Sequence, residues 1–216
     1  QRLSGQPIAH LLGYREFWNL TLKVTADTLI PRPDTELLVE TALELLAEQP
    51  EAQILELGTG SGAIAIALAR ELPSAQIIAS DISPAALQVA TINARSYHAD
   101  NISFLHSDWF SALPAGQCFD LILSNPPYIP TDDPHLQSGD VRFEPLSALV
   151  SGADGLNDIR HLIRHARNFL KPGAALLFEH GYDQGQQTVH LMQTAGYQHV
   201  RCLKDPAGHD RITLGH

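Results

Sequence analysis

A short apolar segment, a glycine-rich turn and an alanine-rich helix follow one another in this chain, and their order strongly constrains the fold. The residues Gln53–Leu57 predict a buried strand, and Ala63–Arg70 predict a helix packed against it. Between them, glycine occupies positions 58, 60 and 62. Glycine lets a ligand approach the backbone closely, at a place where the first N–H groups of the helix point outward. The pattern predicts an α/β domain with a ligand at the carboxyl end of this strand.

Strand and helix patterns alternate along the rest of the chain. We predict further strands at Gln76–Ser80, Asn101–His106, Phe119–Ser124, Ala174–Glu179, Tyr197–Leu203 and Arg211–Leu214. A helix is predicted to begin at Ser83 and Pro84, which suit the N-cap and the first helical position, and to end near His98. Strands that alternate with helices indicate a mostly parallel sheet with helices on both faces.

The first part of the chain follows a different pattern. Partial alternation in Phe17–Val24 predicts a short β-ribbon, and a proline-rich break follows it. Apolar residues then recur at helical spacing, with Asp34 or Thr35 as the predicted helix cap. We therefore expect residues 1–27 to form a lead-in and residues 28–216 to form one α/β domain.

Residues 131–155 are polar, contain proline and glycine, and are long for a connection. This composition predicts a partly ordered lid or a partner-binding insertion. Arg142 and Glu144 within the segment either contact a partner or hold the segment in place, and the pattern does not choose between these roles.

Composition restricts the environment and the partners. The formal net charge is −10 without a block rich in lysine or arginine, which makes nucleic acid a disfavoured partner. No apolar run approaches the roughly 20 residues of a membrane span, and no signal-peptide pattern is present, so we expect a cytoplasmic protein. The only cysteines, Cys118 and Cys202, each lie in a strand-like run, which favours reduced thiols over a disulfide.

The glycine turn alone does not identify its ligand. Gly58, Gly60 and Gly62 fit the spacing G-x-G-x-G. Gly58, Gly60 and Ala63 also fit the dinucleotide-binding spacing G-x-G-x-x-G/A. Glu56 precedes the first glycine by two residues. A carboxylate held there disfavours a pyrophosphate and suits a cationic sulfonium or ammonium group. The same carboxylate can instead accept hydrogen bonds from amides of the turn, which is compatible with both ligands.

Three more candidate ligand residues follow predicted strands. Asp81 ends the second strand, where a carboxylate can accept hydrogen bonds from ribose hydroxyls. Because Ser83 and Pro84 already supply the helix start, we predict that Asp81 is freer for a ligand, with helix capping as the alternative role. Asp108 and Trp109 follow the third strand, where a carboxylate can bind an adenine amino group and an indole can cover a ring. Packing in the core is the alternative role for Trp109.

A proline-rich turn follows the fourth predicted strand and consists of Asn125, Pro126, Pro127 and Tyr128. Two prolines restrict the backbone and donate no hydrogen bonds, so the carbonyls of Asn125 and Pro126 are predicted to face outward. The Asn125 side chain adds another acceptor. Converging acceptors can orient a planar NH2 group, with Tyr128 covering its flat face. The alternative is an ordinary tight turn with a packed tyrosine.

The two halves are predicted to meet in one crevice. In a doubly wound sheet the fourth strand lies beside the first, which brings Asn125 near Gly58. A nucleotide-like methyl donor on the glycine turn would then face an NH2 group held by Asn125 and Pro126. Because the lone pair of an amide nitrogen is delocalised, positioning and desolvation must supply most of the catalysis.

These residues resemble class I S-adenosylmethionine-dependent methyltransferases that act on planar amino or amide nitrogens. The segments that carry the resemblance are Glu56-Leu57-Gly58-Thr59-Gly60-Ser61-Gly62, Asp81 and Asn125-Pro126-Pro127-Tyr128. A narrower resemblance, to the PrmC/HemK family, spans essentially the whole chain. It rests on Gly13-Tyr14-Arg15-Glu16-Phe17-Trp18, Thr28-Leu29-Ile30-Pro31-Arg32-Pro33-Asp34-Thr35-Glu36 and Gly139-Asp140-Val141-Arg142-Phe143-Glu144-Pro145-Leu146.

The family resemblance implies a Rossmann-like fold, a reaction and a site. It implies a seven-stranded sheet and methyl transfer from S-adenosylmethionine, leaving S-adenosylhomocysteine, to the glutamine side-chain nitrogen of the Gly-Gly-Gln loop in peptide chain release factors. The implied cofactor contacts are Glu56, Gly58, Thr59, Gly60, Ser61, Gly62, Asp81, Asp108, Trp109 and Asn125. The implied substrate contacts are Asn125, Pro126, Pro127 and Tyr128, of which Asn125, Pro126 and Tyr128 are the expected catalytic residues. The lead-in is expected to be the remnant of a linker to an N-terminal helical domain.

Rival functions remain open at this point. An adenine amino group is also a planar NH2, so a nucleic-acid amino methyltransferase is one alternative, against which the acidity of the chain argues. A nicotinamide-dependent oxidoreductase would use Gly58, Gly60 and Ala63. A non-catalytic scaffold could keep the fold and bind a partner, although the presence of Asn125 and Asp81 argues against it.

Two further pairs of titratable residues receive structural interpretations. His161 and His165 are four residues apart on a predicted helix without a third ligand nearby in sequence, so we predict a solvated helix face and no metal. Glu179 and His180 end a predicted strand without a matching nucleophile, which predicts a supporting role.

Overall fold

The computed structural model describes residues 5–216, and residues 1–4 of the predicted lead-in lie outside the described residues. A short helix, α1 (Ile8–Leu12), precedes an antiparallel hairpin of β1 (Tyr14–Phe17) and β2 (Leu20–Lys23). The two residues of its turn, Trp18 and Asn19, have φ values of 48° and 57°, which suits a tight hairpin turn. The hairpin confirms the predicted β-ribbon, although its first strand lies N-terminal to the predicted segment.

Seven further strands form one sheet. They are β3 (Gln53–Leu57), β4 (Gln76–Asp81), β5 (Ile102–His106), β6 (Phe119–Ser124), β7 (Leu170–Glu179), β8 (Arg201–Lys204) and β9 (Asp210–Gly215). Their spatial order is β5-β4-β3-β6-β7-β9-β8. The first five are parallel, and β9 runs antiparallel to both β7 and β8. The order reverses beside β3, so the prediction that the strand before the proline-rich turn lies next to β3 is confirmed.

Helices cover both faces of this sheet. They are α2 (Glu36–Leu45), α3 (Ala63–Glu71), α4 (Pro84–Ser96), α5 (Asn157–Ala166) and α6 (Gly185–Thr194). Ile54 belongs to an apolar cluster with α2 and α3, whereas its neighbour Leu55 belongs to a second cluster with α5 and α6. Alternate residues of a strand point to opposite faces, so β3 is buried on both sides, as a parallel strand in the middle of an α/β sheet must be.

The helix starts show how local patterns compete with distant contacts. Ser83 caps α4 as predicted, since its Oγ accepts a hydrogen bond from the Ala86 N–H at 3.2 Å. The predicted side-chain cap of α2 was wrong. Residues Pro33–Thr35 form a 3-10 turn, and the Thr35 side chain makes no capping bond. Its hydroxyl instead donates to Glu179 Oε2 at 2.7 Å.

Residues 131–155 pack beside the carboxyl ends of the strands. Ile129 and Val150, which flank most of the segment, form an isolated parallel bridge. The buried Glu144 accepts a hydrogen bond from the Ile30 N–H at 3.1 Å and pairs with Arg32. Glu144 therefore ties the segment to the residues that precede α2. Of the two roles that the sequence left open, the structure gives Glu144 that of holding the segment in place. Within residues 5–216, no helix is long and apolar enough to cross a membrane.

Candidate active site

A cleft of about 440 Å³ opens at the carboxyl ends of the central strands. It is lined by residues of the glycine turn, by residues that follow β4, β5 and β6, and by Pro145, Ser147 and Ala148 of the long connecting segment. The Ser124 hydroxyl donates to the Leu57 carbonyl at 2.7 Å, which ties the end of β6 to the end of β3. The predicted neighbourhood of the glycine turn and the proline-rich turn is therefore present.

The glycine turn depends on backbone conformations that other residues adopt only with strain. Gly58, Gly60 and Gly62 have φ values of 74°, 55° and 84°. A Cβ at Gly58 or Gly60 would meet no atom within 4 Å, whereas one at Gly62 would lie 3.1 Å from the Ala90 Cβ. Gly58, Thr59, Gly60 and Ser61 line the cleft. Gly62 does not; it allows α3 to pack closely against α4.

Glu56 carries a carboxyl oxygen without a partner. The side chain is 1% exposed, and its Oε2 accepts hydrogen bonds from Thr59 Oγ1 at 2.7 Å and from the Ala65 N–H at 3.1 Å. No described residue hydrogen-bonds to Oε1. Burial, together with the nearby charge of Asp81, raises the pKa of Glu56 to about 8. A buried acid with one unpaired oxygen at the cleft fits a cationic ligand that would ionise it and complete its hydrogen bonds.

This raised pKa makes the stability of the free protein depend on pH. Between about 4.5 and 8, the folded protein holds a proton on Glu56 that the unfolded chain has released, so stability falls as pH rises through this window. We expect Glu56→Gln to remove this decline. Its melting temperature should exceed that of the wild type at about pH 8.5 by on the order of 5 °C, with a smaller difference near pH 5.

Scanning calorimetry of the free protein across this range checks the expectation. Glu48→Gln is the matched control, because Glu48 is exposed and does not line the cleft. The same pH dependence in wild type and Glu56→Gln would show that Glu56 ionises with its ordinary pKa.

The sequence predicted that the cap at Ser83 leaves Asp81 freer for a ligand, yet the carboxylate already accepts two hydrogen bonds from backbone N–H groups. It lines the cleft, but its Oδ2 accepts from the Gly60 N–H at 2.8 Å and its Oδ1 accepts from the Ser83 N–H at 2.9 Å. Although Ser83 does cap α4, the close approach of β3 and β4 places the Gly60 amide beside Asp81. Each carboxylate oxygen can accept more than one hydrogen bond, so the side chain still has capacity for a ligand.

Asp108 and Trp109 both line the cleft after β5. Trp109 has a φ of 49°, a left-handed conformation that is uncommon for a bulky residue. The Ser107 hydroxyl donates to the Trp109 carbonyl at 2.7 Å and supports this backbone. Because strained backbone of this kind persists only where its surroundings hold it, we infer that the backbone that carries the indole is held in place beside the cleft.

The four residues of the proline-rich turn divide into two groups. Asn125 and Pro127 line the cleft, whereas Pro126 is buried and Tyr128 does not reach the lining. The Tyr128 hydroxyl donates to Glu179 Oε1 at 3.1 Å, and burial with the nearby Glu179 charge raises its pKa. In the structure, Tyr128 therefore anchors the turn, and the covering role predicted for its ring has no support from its position.

Asn125 is held by a residue for which the sequence predicted another role. Its Nδ2 donates to Thr35 Oγ1 at 3.1 Å, and within residues 5–216 no group hydrogen-bonds to its Oδ1. The Thr35 hydroxyl in turn donates to Glu179. Asn125 and Thr35 are 90 residues apart along the chain, and Thr35 and Glu179 are 144 residues apart. No local sequence signal therefore reveals these contacts.

The two histidines of α5 contact aromatic side chains. The ring centroids of His161 and His165 are 4.4 Å apart, and that of Trp109 is 6.2 Å from His161. Burial and the neighbouring His165 lower the pKa of His161. His161 is exposed, as the predicted solvated face requires, and His165 is half-buried. In the part of the chain that the structure describes, no three His, Cys, Asp or Glu side chains are grouped to hold a metal ion.

Comparisons with known proteins identify the family. A family model described as a methyltransferase domain matches residues 48–211. A Vibrio cholerae protein named release factor glutamine methyltransferase is 54% identical over 215 residues, covering 100% of this chain and 75% of that protein. The Escherichia coli K12 protein of the same name is 55% identical, covering 100% of this chain and 77% of that protein.

Solved structures share the fold at low identity. The hMettl16 catalytic domain in complex with a MAT2A 3′UTR hairpin has a TM-score of 0.73 at 14% identity, covering 93% of this chain and 77% of that chain. A Thermus thermophilus 16S rRNA N2 G1207 methyltransferase in complex with AdoMet and guanosine has a TM-score of 0.64 at 19% identity, covering 94% and 49%. These two likenesses concern the Rossmann-like fold alone. From its similarity to the bacterial proteins over the whole of this chain, the chain belongs to the release factor glutamine methyltransferase family and is a methyltransferase enzyme.

Proposed function

We propose that this chain transfers the methyl group of S-adenosylmethionine to the side-chain amide nitrogen of the glutamine in the Gly-Gly-Gln loop of peptide chain release factors. The observation that carries the proposal is that two groups line the same cleft: Glu56, which has a buried oxygen without a hydrogen-bond partner, and the side-chain amide of Asn125. The first suits a cationic methyl donor, and the second suits an amide acceptor. The names of the bacterial relatives support the choice of release factors as substrate.

The donor half of the site is assigned to the residues around the glycine turn. Glu56 would bind the ammonium group of the donor, Asp81 the ribose hydroxyls, and Asp108 with Trp109 the adenine. Gly58, Thr59, Gly60 and Ser61 would lie against the donor, while Gly62 shapes the turn from behind. When bound, S-adenosylmethionine supplies an electrophilic methyl group on a sulfonium, and S-adenosylhomocysteine is the product.

The acceptor half is assigned to the proline-rich turn. Asn125 Oδ1 and the Pro126 carbonyl would accept the two N–H groups of the glutamine amide, and Pro127 would contact its side chain. Acceptors placed in this way stabilise positive charge that develops on the nitrogen in the transition state. Because the methylated nitrogen becomes acidic, its proton can pass to water, and no strong general base is needed. Tyr128 contributes by anchoring the turn.

The domain organisation belongs to the same proposal. Residues 28–216 would form the catalytic domain, and residues 1–27 a lead-in that includes the hairpin. Residues 131–155, through Pro145, Ser147 and Ala148, would form the wall of the cleft against which the release factor loop binds. A release factor substrate implies that the enzyme acts in the cytoplasm.

Transfer of labelled methyl from S-adenosylmethionine to a purified release factor tests the proposal. We expect label on the factor, and none on a variant in which the loop glutamine is replaced by glutamate. Equal labelling of both would place the methyl group on another atom. Duplex DNA and RNA at low salt are parallel substrates, and efficient labelling of either would contradict the assignment to a protein. Calorimetry that detects tight binding of NAD without binding of S-adenosylmethionine would contradict the donor.

A further inference from the structure

We propose that Thr35 and Glu179 are positioning residues that set the polarity of the Asn125 amide, so that its oxygen faces the substrate and its nitrogen faces the protein. The inference rests on the proposed function in one respect, since it takes Asn125 as the acceptor for a substrate NH2 group. Thr35 and Glu179 themselves bind neither substrate nor methyl donor in this proposal.

The contacts form a continuous chain of hydrogen bonds from the sheet to the cleft. Asn125 Nδ2 donates to Thr35 Oγ1 at 3.1 Å, and Thr35 Oγ1 donates to Glu179 Oε2 at 2.7 Å. Thr35 is 4% exposed and Glu179 is 1% exposed, so water does not compete for these groups. The three residues come from the 3-10 turn before α2, the end of β7 and the turn after β6.

The direction of these bonds follows from counting protons. An ionised Glu179 has no proton to give, so the single hydroxyl proton of Thr35 is committed to it. The Thr35 oxygen can then only accept, and of the two ends of the Asn125 amide only the NH2 group donates. A flipped amide would place its oxygen against the Thr35 oxygen with no proton between them. The carboxylate therefore selects the orientation that presents Oδ1 to the cleft.

The surroundings of Glu179 determine whether it stays ionised. Its Oε1 accepts from the Tyr128 hydroxyl at 3.1 Å, which favours the charged form. Arg211 on β9 also favours it, while burial and the charge of Asp34 oppose it and raise the pKa of Glu179. Arg211 in turn lies 3.4 Å from Asp34 and 3.3 Å from Asp205. The charge of Glu179 therefore depends on these opposing groups, and a fall in pH protonates the carboxylate.

Protonation of Glu179 would reverse the chain of donors. A protonated Glu179 can donate to Thr35, whose hydroxyl then becomes free to donate to Asn125 Oδ1. The amide would turn its NH2 group toward the cleft, where it would oppose the N–H groups of the substrate. The same carboxylate holds both ends of the proline-rich turn, Asn125 through Thr35 and Tyr128 directly. Its charge thus bears on the catalytic turn as a whole.

Three threonine variants separate positioning from packing. Thr35→Val keeps the shape of the side chain and removes the hydroxyl, and Thr35→Ser restores the hydroxyl. Thr41→Val is the matched control, because Thr41 is also buried, at 3% exposure, and its hydroxyl donates only to the Leu37 carbonyl within α2. The reaction is methyl transfer to a release factor at saturating concentrations of both substrates.

We expect Thr35→Val to lower kcat by about 10-fold, the loss of one oriented hydrogen bond, with little change in the KM for S-adenosylmethionine. Thr35→Ser should recover most of the turnover, and Thr41→Val should keep it. Wild-type turnover should fall as pH decreases through the pKa of Glu179, and Thr35→Val should lose this acid limb. A Thr35→Val enzyme that melts like the wild type and retains its kcat, or a Thr35→Ser enzyme as slow as Thr35→Val, would overturn the proposal.

An observation that does not depend on activity distinguishes this inference from the proposed function. The side-chain NH2 protons of Asn125 in 15N-labelled protein should be protected from exchange in the wild type and in Thr35→Ser, and unprotected in Thr35→Val. Protection in the wild type without methyl transfer to any release factor would contradict the proposed function but not the positioning of Asn125 by Thr35 and Glu179. Methyl transfer by the wild type with unprotected Asn125 protons would support the proposed function and overturn this positioning role.

Discussion

Replacement of Asn125 by alanine is expected to lower methyl transfer by on the order of 10²-fold or more, while the affinity for S-adenosylmethionine falls by a smaller factor. The substitution removes the side-chain acceptor that we assign to the substrate amide. It also removes the donor to Thr35, whose hydroxyl remains bonded to Glu179. The main effect should therefore fall on the chemical step, where an acceptor is most valuable to a nitrogen that becomes positive.

Single-turnover kinetics with an enzyme saturated with donor measures this effect without product release. Asn101→Ala is the matched control, because the Asn101 side-chain NH2 group also donates hydrogen bonds, in its case to the Leu72 and Ala75 carbonyls, but the residue does not line the cleft. It should lower stability without changing the rate per folded molecule. Wild-type turnover in Asn125→Ala would refute the role of the side chain and leave the backbone carbonyls of the turn as the only acceptors.

The sequence predicted the central strands β3 and β6 well because they are short, almost wholly buried and followed by turns rich in glycine or proline. The structure has β3 and β6 at the predicted positions, and β4 extends only one residue further. The last pair of strands was predicted less well, because β8 begins at Arg201, whereas Tyr197 and Val200, which were predicted to lie in the strand, pack in the apolar cluster before it. An apolar run near a sheet edge does not distinguish a strand from a packed loop.

The site was predicted less completely because its decisive contacts join residues that are distant in sequence. Thr35 has the position and chemistry of a helix cap, yet its hydroxyl bonds Glu179, 144 residues away. Tyr128 follows two prolines and has the chemistry of a ring that covers a ligand, yet its hydroxyl bonds the same carboxylate. Each residue type permits both roles, and only the arrangement of β6 and β7 chooses between them.

The nature of the donor illustrates what the structure adds to a motif. The glycine spacing in the turn is compatible with a dinucleotide and with S-adenosylmethionine. The buried Glu56, with one oxygen unpaired and its pKa raised to about 8, favours a ligand that carries a positive charge. A pyrophosphate would bring negative charge toward this carboxyl, whereas an ammonium group would supply the missing hydrogen bond and favour ionisation. Family membership and site chemistry thus support the same class of ligand.

Replacement of Asp81 by alanine is expected to weaken the binding of S-adenosylmethionine by roughly 1.5–3 kcal/mol, the range for hydrogen bonds to a charged group, or about 10- to 150-fold in Kd. Two causes contribute. Asp81 is assigned to the ribose hydroxyls of the donor, and it also holds the Gly60 and Ser83 amides that shape the glycine turn. Calorimetric titration of the purified variant measures the sum of these effects.

Ligands that lack the ribose hydroxyls separate the two causes. If Asp81 contacts the ribose, the wild type should bind a dideoxyribose analogue of S-adenosylmethionine about as weakly as Asp81→Ala binds the natural compound. The substitution should then cost little further affinity for the analogue. If Asp81 only shapes the turn, it should weaken both ligands equally. An unchanged Kd for S-adenosylmethionine in Asp81→Ala would contradict both roles and would mean that the turn keeps its conformation without these two hydrogen bonds.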